Sequence, residues 1–128
     1  MAGLVNYLAR QIRSFGYAGK GIARLVREEP HGRIHAVAGA VVILIVLFTP
    51  FPLMDDLMLL SMVGLVIMAE AFNAAIERLC DLYTRDHDPR IAAIKDLAAG
   101  AVLVIAIAAA IVGVAILVKN WEVVVGMW

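Results

Sequence analysis

Residues 57–81 read LMLLSMVGLVIMAEAFNAAIERLCD, and this run decides the fold class. Its first part, Leu57 to Ile76, is close to the ~20 consecutive apolar residues that a helix needs to cross a bilayer core. Its second part sets Glu70, Asn73, Glu77 and Asp81 on the same helix. At about 100° per residue these four project at roughly 0°, 300°, 340° and 20°, within one arc of about 80°. They share a face. At about 1.5 Å per residue Glu70 lies some 20 Å along the helix from Leu57, and Glu77 lies about 10 Å further, at the depth of lipid headgroups.

Working outward, Ile34 to Phe51 and Leu97 to Val118 are two further apolar stretches of spanning length. Thr49-Pro50-Phe51-Pro52-Leu53-Met54-Asp55-Asp56 separates the first two spans: its prolines stop one helix and its aspartates favour the start of the next. Asp81 to Lys95, with Pro89 and alternating charge, reads as a polar loop between the second and third spans. The expected architecture is all-α and single-domain, with an N-terminal surface helix over 4–29 and spans over about 34–51, 57–80 and 96–118.

The whole composition agrees. Of 128 residues, 63% are apolar and 17% charged, whereas a soluble domain is roughly 45–50% apolar and would leave large greasy patches in water. Eleven Lys and Arg offset eleven Asp and Glu, which argues against a nucleic-acid binder. Cys80 is the single cysteine, so an internal disulfide and a two-thiol zinc or redox motif are excluded.

Arg10, Arg13, Lys20, Arg24, Arg27 and Arg33 precede the first span, and Arg78, Arg85, Arg90 and Lys95 surround the second connection. The proline turn has no basic residue, and only Lys119 falls on its side. Positive charge is retained in the cytoplasm, so the N-terminus and the Asp81–Lys95 loop are expected inside, with the C-terminus outside and Trp121 and Trp128 as interfacial anchors. The first residues lack a signal peptide's basic, apolar and small-residue succession. Leu4, Leu8, Ile12, Phe15, Ile22 and Leu25 instead alternate with basic residues as in an amphipathic helix, which Gly16, Gly19 and Gly21 are expected to bend. The Gly16–Gly21 run is not a phosphate-binding loop: Ser14 stands where a glycine is required, Gly21 where Ser or Thr would bind magnesium, and no strand precedes it.

A carboxylate facing lipid at this depth costs on the order of 2.5 to 3.5 kcal/mol, so Glu70 and Glu77 need a cation, a metal ion or water. One reading neutralises them with Arg78, Arg33 or Lys95 in a network that only fixes packing. The other makes the face a site for a divalent metal and reacting groups, with Asn73 adding a carbonyl or a donor. Glu28-Glu29, just before Pro30, and Lys95-Asp96, opening the third span, bring acids and a lysine from other elements to the same boundary. His31 and His35 are four apart, but Pro30 and Gly32 interrupt the local geometry, and a structural or interfacial role is expected rather than zinc. The combination suits phosphoryl transfer: carboxylates hold Mg2+ on phosphate oxygens, lysine neutralises developing charge, and a base accepts the proton of a lipid alcohol. Glu70, semi-buried, suits the base, and Glu77, nearer water, suits the metal.

The string Glu70-Ala-Phe-Asn73-Ala-Ala-Ile-Glu77-Arg-Leu-Cys-Asp81, followed by Lys95-Asp96-Leu-Ala-Ala-Gly-Ala-Val102, resembles the signature of the small bacterial integral-membrane lipid kinases, the prokaryotic diacylglycerol kinase and undecaprenol kinase family. The similarity runs from about Arg10 to Leu117. It implies a homotrimer of three-span protomers in the bacterial inner membrane, with composite active sites at subunit interfaces and no relation to soluble kinases. By position it implies Glu70 as general base and Glu29 with Glu77 as ligands to the Mg2+ of MgATP. Asn73, Lys95 and Asp96 would complete the phosphate and substrate site, while Arg10, Tyr17 and Asp86-His87-Asp88 would touch the nucleotide. Glu28-Glu29-Pro-His-Gly-Arg33-Ile34-His35 and the Ala-Ala-Gly-Ala after Lys95-Asp96 look closer to the undecaprenol branch than to the diacylglycerol branch; Pro30 departs from the pattern and bears on where Glu29 sits. Rival classes are a proton-coupled transporter, whose acid belongs near the bilayer midplane, and a structural subunit, in which neutralising the polar face is harmless.

Overall fold

In a computed structural model, residues 2–126 are described; the anchor expected at Trp128 lies outside them. They form α1 (Ala2–Glu28), α2 (Pro30–Phe48), α3 (Leu53–Tyr83), α4 (Pro89–Lys119) and a short α5 (Trp121–Val125). Three of these, α2, α3 and α4, are long and apolar enough to cross a membrane, and the chain is a membrane protein. At about 1.5 Å per residue α3 is roughly 46 Å long, more than the ~30 Å of hydrocarbon core. Its ends must therefore reach beyond the acyl region.

Three boundaries differ from the sequence reading. The bend expected at Gly16, Gly19 and Gly21 is absent, and α1 runs unbroken through all three. Among the described residues no glycine takes a positive φ, and a side chain at any of the three would meet nothing within 4 Å. Glycine weakens a helix without itself bending it. Second, Pro30 opens α2 four residues earlier than expected; Glu29 is extended (φ −101°, ψ 121°), as a residue before proline tends to be, and proline suits the first helical turn. The helix then stops at Phe48, short of Phe51. Third, the polar connection shrinks from Asp81–Lys95 to residues 84–88, because α3 continues to Tyr83 and α4 starts at Pro89. Asp88 caps α4 by accepting the Arg90 backbone N–H at 2.8 Å, so Pro89 begins a helix where the sequence pattern puts it inside a polar loop.

The bundle is an α3–α4 hairpin with α2 on α3 and α1 folded back mainly onto α2. Two glycines set the close approaches. At Gly39 a Cβ would lie 2.9 Å from Val63 Cγ1, bringing α2 against α3. At Gly32 it would lie 2.6 Å from the Leu25 carbonyl oxygen, bringing the start of α2 under the end of α1. At the turn end, Phe51, Leu59 and Ile116 form a buried apolar cluster. Large side chains such as Leu97, Leu103, Val104, Ile111 and Val118 remain exposed on α4, as on a helix whose outer face meets lipid.

Candidate active site at the loop end of the bundle

Leu59, Val66, Glu70, Asn73, Ala74 and Cys80 are the buried positions along α3 beyond its first turn. Glu70 and Asn73 therefore occupy the seam that Leu59 and Val66 begin, and they point into the bundle. Glu70 is only 3% exposed and Asn73 8%. The Asn73 amide donates from Nδ2 to Glu77 Oε1 at 3.1 Å, while its carbonyl oxygen is buried without a partner. Among the described residues no hydrogen bond or ion pair reaches Glu70, and none joins Glu70 or Glu77 to Arg33, Arg78 or Lys95. Two of the cations expected to neutralise these acids, Lys95 and Arg78, are engaged elsewhere. Lys95 on α4 pairs with Asp81 on α3 at 2.5 Å. Arg78 pairs with Glu29 at 2.6 Å and with Glu28 at 2.9 Å.

The α1–α2 corner, α3 and α4 thus meet in one polar layer at the loop end. Other expected site residues are not gathered there. Arg10 and Tyr17 are exposed on α1, where the Lys20 ammonium lies 5.8 Å from the Tyr17 ring centroid. Asp86 and His87 are exposed in the loop. Asp88 is occupied by its cap and by an ion pair with Arg90 at 2.7 Å, and the Arg90 guanidinium and N–H hold its carboxyl below the usual aspartate range. Asp96 is exposed beside Ala93, Leu97 and Gly100 on a shallow groove of α4. His31 is exposed, whereas half-buried His35 borders an apolar cavity of about 450 Å³ that includes Gly39, Val66, Ala106 and Gly113 but neither Glu70 nor Glu77.

Among the described residues no three His, Cys, Asp or Glu side chains converge closely enough to hold a metal ion. The donor set is nevertheless chemically apt for Mg2+. Glu29, Glu77 and Asn73 offer carboxylate and carbonyl oxygens, the hard ligands this cation prefers, and the orphaned Asn73 oxygen beside Glu77 lacks a donor or a cation. Ligands from water, phosphate or another copy would have to complete it.

Two features escaped the sequence reading. Arg78 was weighed only as a counter-ion for α3's own acids, yet it bridges to α1. At the turn end, buried Asp55 accepts from Lys119 Nζ at 2.9 and 3.0 Å and from Asn120 Nδ2 at 2.9 Å. The signal was present: Lys119 is the lone base on that side, and Asp55-Asp56 are the acids of the proline turn.

The sequence profile of the family described as prokaryotic diacylglycerol kinase matches residues 16–117, about from the middle of α1 to the end of α4. The chain belongs to the prokaryotic diacylglycerol kinase family. It is similar to the undecaprenol kinase of Bacillus subtilis, 35% identical over 111 residues that cover 87% of this chain and 90% of that protein. It is also similar to the diacylglycerol kinase of a Synechocystis species, 37% identical over 101 residues that cover 78% of this chain and 58% of that protein. As a member of the prokaryotic diacylglycerol kinase family this chain is a lipid kinase. The matched region contains Glu29, Glu70, Asn73, Glu77, Lys95 and Asp96; Arg10 lies outside it.

Proposed function

We propose that this protein transfers the terminal phosphate of MgATP to undecaprenol at the cytoplasmic face of the bacterial inner membrane. The observation that carries the reading is Glu70: a carboxylate 3% exposed, without a counter-ion among the described residues, one turn from the unpartnered Asn73 oxygen. Such a group is costly to bury without a partner and stays free to contact a substrate. Glu70 lies about 26 Å along α3 from Leu53, towards one boundary of a ~30 Å core and away from its middle. That depth favours a reaction on a lipid headgroup over a proton-coupled transporter.

Glu70 takes the proton of the lipid hydroxyl as that oxygen attacks the terminal phosphorus, and the bond from that phosphorus to the bridging oxygen breaks to release ADP. Glu77, oriented by the Asn73 amide, and Glu29 would hold Mg2+, which would supply neutralisation of charge on the phosphate oxygens. Lys95, tethered by Asp81, adds positive charge at the same layer, and Asp96, Arg10, Tyr17, Asp86, His87 and Asp88 contribute to substrate and nucleotide contacts once the assembly is complete. In this reading α1 lies amphipathically on the membrane surface, the N-terminus is cytoplasmic, the C-terminus is outside, and three protomers share composite sites. A relative covered over 90% of its length is named an undecaprenol kinase, which favours that substrate. Diacylglycerol is the second reading, supported by the 37% identity to a diacylglycerol kinase.

The test is phosphorylation by purified protein in mixed micelles, with radiolabelled ATP and the two lipids side by side. Label is expected in undecaprenyl phosphate, with less in phosphatidic acid. Preferential phosphatidic acid would reverse the substrate choice, and no labelled lipid from either would end the kinase proposal.

A further inference from the structure

Arg78 connects the two acidic elements of the polar layer. It follows Glu77 on α3, and its guanidinium reaches across to the last residues before Pro30. Nη2 donates to Glu28 Oε2 at 2.9 Å and to Glu29 Oε1 at 2.6 Å, and Nε donates to the same Glu29 Oε1 at 3.2 Å. Both bonds to Glu29 fall on one oxygen. Among the described residues its Oε2 has no partner, so the clamp fixes the carboxylate while leaving one oxygen able to ligate. Elsewhere α1 packs chiefly on α2 and touches α3 only lightly. Glu29 itself is in neither helix, held by an extended backbone between α1 and Pro30.

We propose that Arg78 is a positioning residue for the metal site: it anchors on Glu28 and holds Glu29 at the turn of α3 that carries Glu77. The inference rests on the reading that Glu29 and Glu77 bind the divalent ion. The physical reason is pre-organisation. Two ligands on separate elements bind a cation tightly only if their separation is set beforehand, and partners of metal ligands typically govern about 10- to 100-fold in affinity. A guanidinium near a cation site also repels the cation. The unshared Glu29 Oε2 decides between these effects, because ligation there does not require the clamp to open.

The test is direct Mn2+ binding, followed by electron paramagnetic resonance on the full-length protein in micelles with the non-hydrolysable ATP analogue AMP-PNP, alongside Mg2+ titrations of lipid phosphorylation. Arg78→Gln is expected to weaken Mn2+ binding on the order of tenfold, with kcat at saturating Mg2+ little changed. Arg78→Lys, which keeps the charge but loses the fork, should recover part of the affinity. Glu28→Gln should weaken binding less, and should add nothing in the Arg78→Gln background, because its effect acts through Arg78. Unchanged or tighter Mn2+ binding in Arg78→Gln would overturn the proposal. Glu77→Gln is the control for the underlying reading: if it leaves Mn2+ binding intact, the metal assignment itself fails. If Glu77→Gln abolishes binding while Arg78→Gln does not move it, only the role of Arg78 fails. Should Arg78→Gln not fold, the Arg78→Lys and Glu28→Gln affinities decide, and wild-type binding in both would overturn the proposal.

Discussion

Two buried acids of α3, Asp55 and Glu70, are treated in opposite ways, while Asp56 Oδ1 beside Asp55 is itself buried without a partner. At the turn end Asp55 is buried, and every oxygen it has is satisfied by Lys119 and Asn120. At the loop end Glu70 is equally buried with no partner among the described residues, and the neighbouring Asn73 oxygen is orphaned. The basic residues nearby in sequence serve other acids: Arg78 takes Glu28 and Glu29, and Lys95 takes Asp81. Burial alone therefore does not mark a site. A saturated carboxylate fixes the α3–α4 pairing, whereas an unsaturated one holds free energy that a substrate or ion can release.

The largest expected effect tests the unsaturated end. Glu70→Gln should lower turnover by about 10²- to 10⁴-fold, the usual worth of a general base, with MgATP affinity nearly kept. Its melting temperature in detergent should be unchanged or raised, because an uncompensated carboxylate has been removed. Wild-type turnover would remove Glu70 as base. The mirror experiment is Asp55→Asn. It should cost several degrees of melting temperature while specific activity of the protein that remains folded is kept, because the charge that holds Lys119 is lost at the end away from the chemistry. Lys119→Gln should cost less, since the Lys119 side chain is 62% exposed and that of Asp55 only 6%. If Asp55→Asn abolished turnover without loss of stability, the two ends would be coupled and the contrast would not separate structure from function.

How far the sequence anticipated this contrast depends on whether the information is periodic along one helix or shared between two. The three spans and the Glu70–Asn73–Glu77 stripe follow from spacing alone, because helix geometry fixes the facing of residues a few positions apart. Helix ends were less legible. Pro30 is expected to interrupt the local geometry and Pro89 to sit within a loop, yet each opens a helix, where the missing N–H is no loss. Asp81, which also shares the Glu70 face, and Lys95 bound the stretch that reads as a polar loop, because an exposed helical turn and a polar loop have the same composition. They prove to be helical and opposed across the hairpin. Contacts between elements, such as Arg78 with Glu28 and Asp55 with Lys119, depend on packing register that no single-helix pattern contains. The nucleotide contacts expected at Arg10, Tyr17 and residues 86–88 are of this second kind, and among the described residues no hydrogen bond or ion pair joins them to Glu70, Asn73 or Glu77.

The smallest effect sharpens the comparison within one helix, through the two tight glycines of α2. A methyl at Gly32 would sit 2.6 Å from a backbone oxygen of Leu25 and 2.9 Å from Leu25 Cγ. A backbone carbonyl cannot rotate aside as a side chain can, so Gly32→Ala must lever α1 away from α2 and carry Glu28 and Glu29 with it. A methyl at Gly39 meets Val63 Cγ1 at 2.9 Å, a side-chain contact between α2 and α3 remote from that corner. Both substitutions should destabilise by roughly 1–3 kcal/mol, the usual cost of overpacking. Only Gly32→Ala should raise the Mg2+ concentration for half-maximal activity, by a few-fold, because only it displaces Glu29. Gly21→Ala, in open space on the same α1, should leave the Mg2+ requirement unchanged and add some helix stability. Equal Mg2+ shifts in Gly32→Ala and Gly39→Ala would mean that general loosening of the bundle, and not the α1–α2 corner, governs the metal requirement.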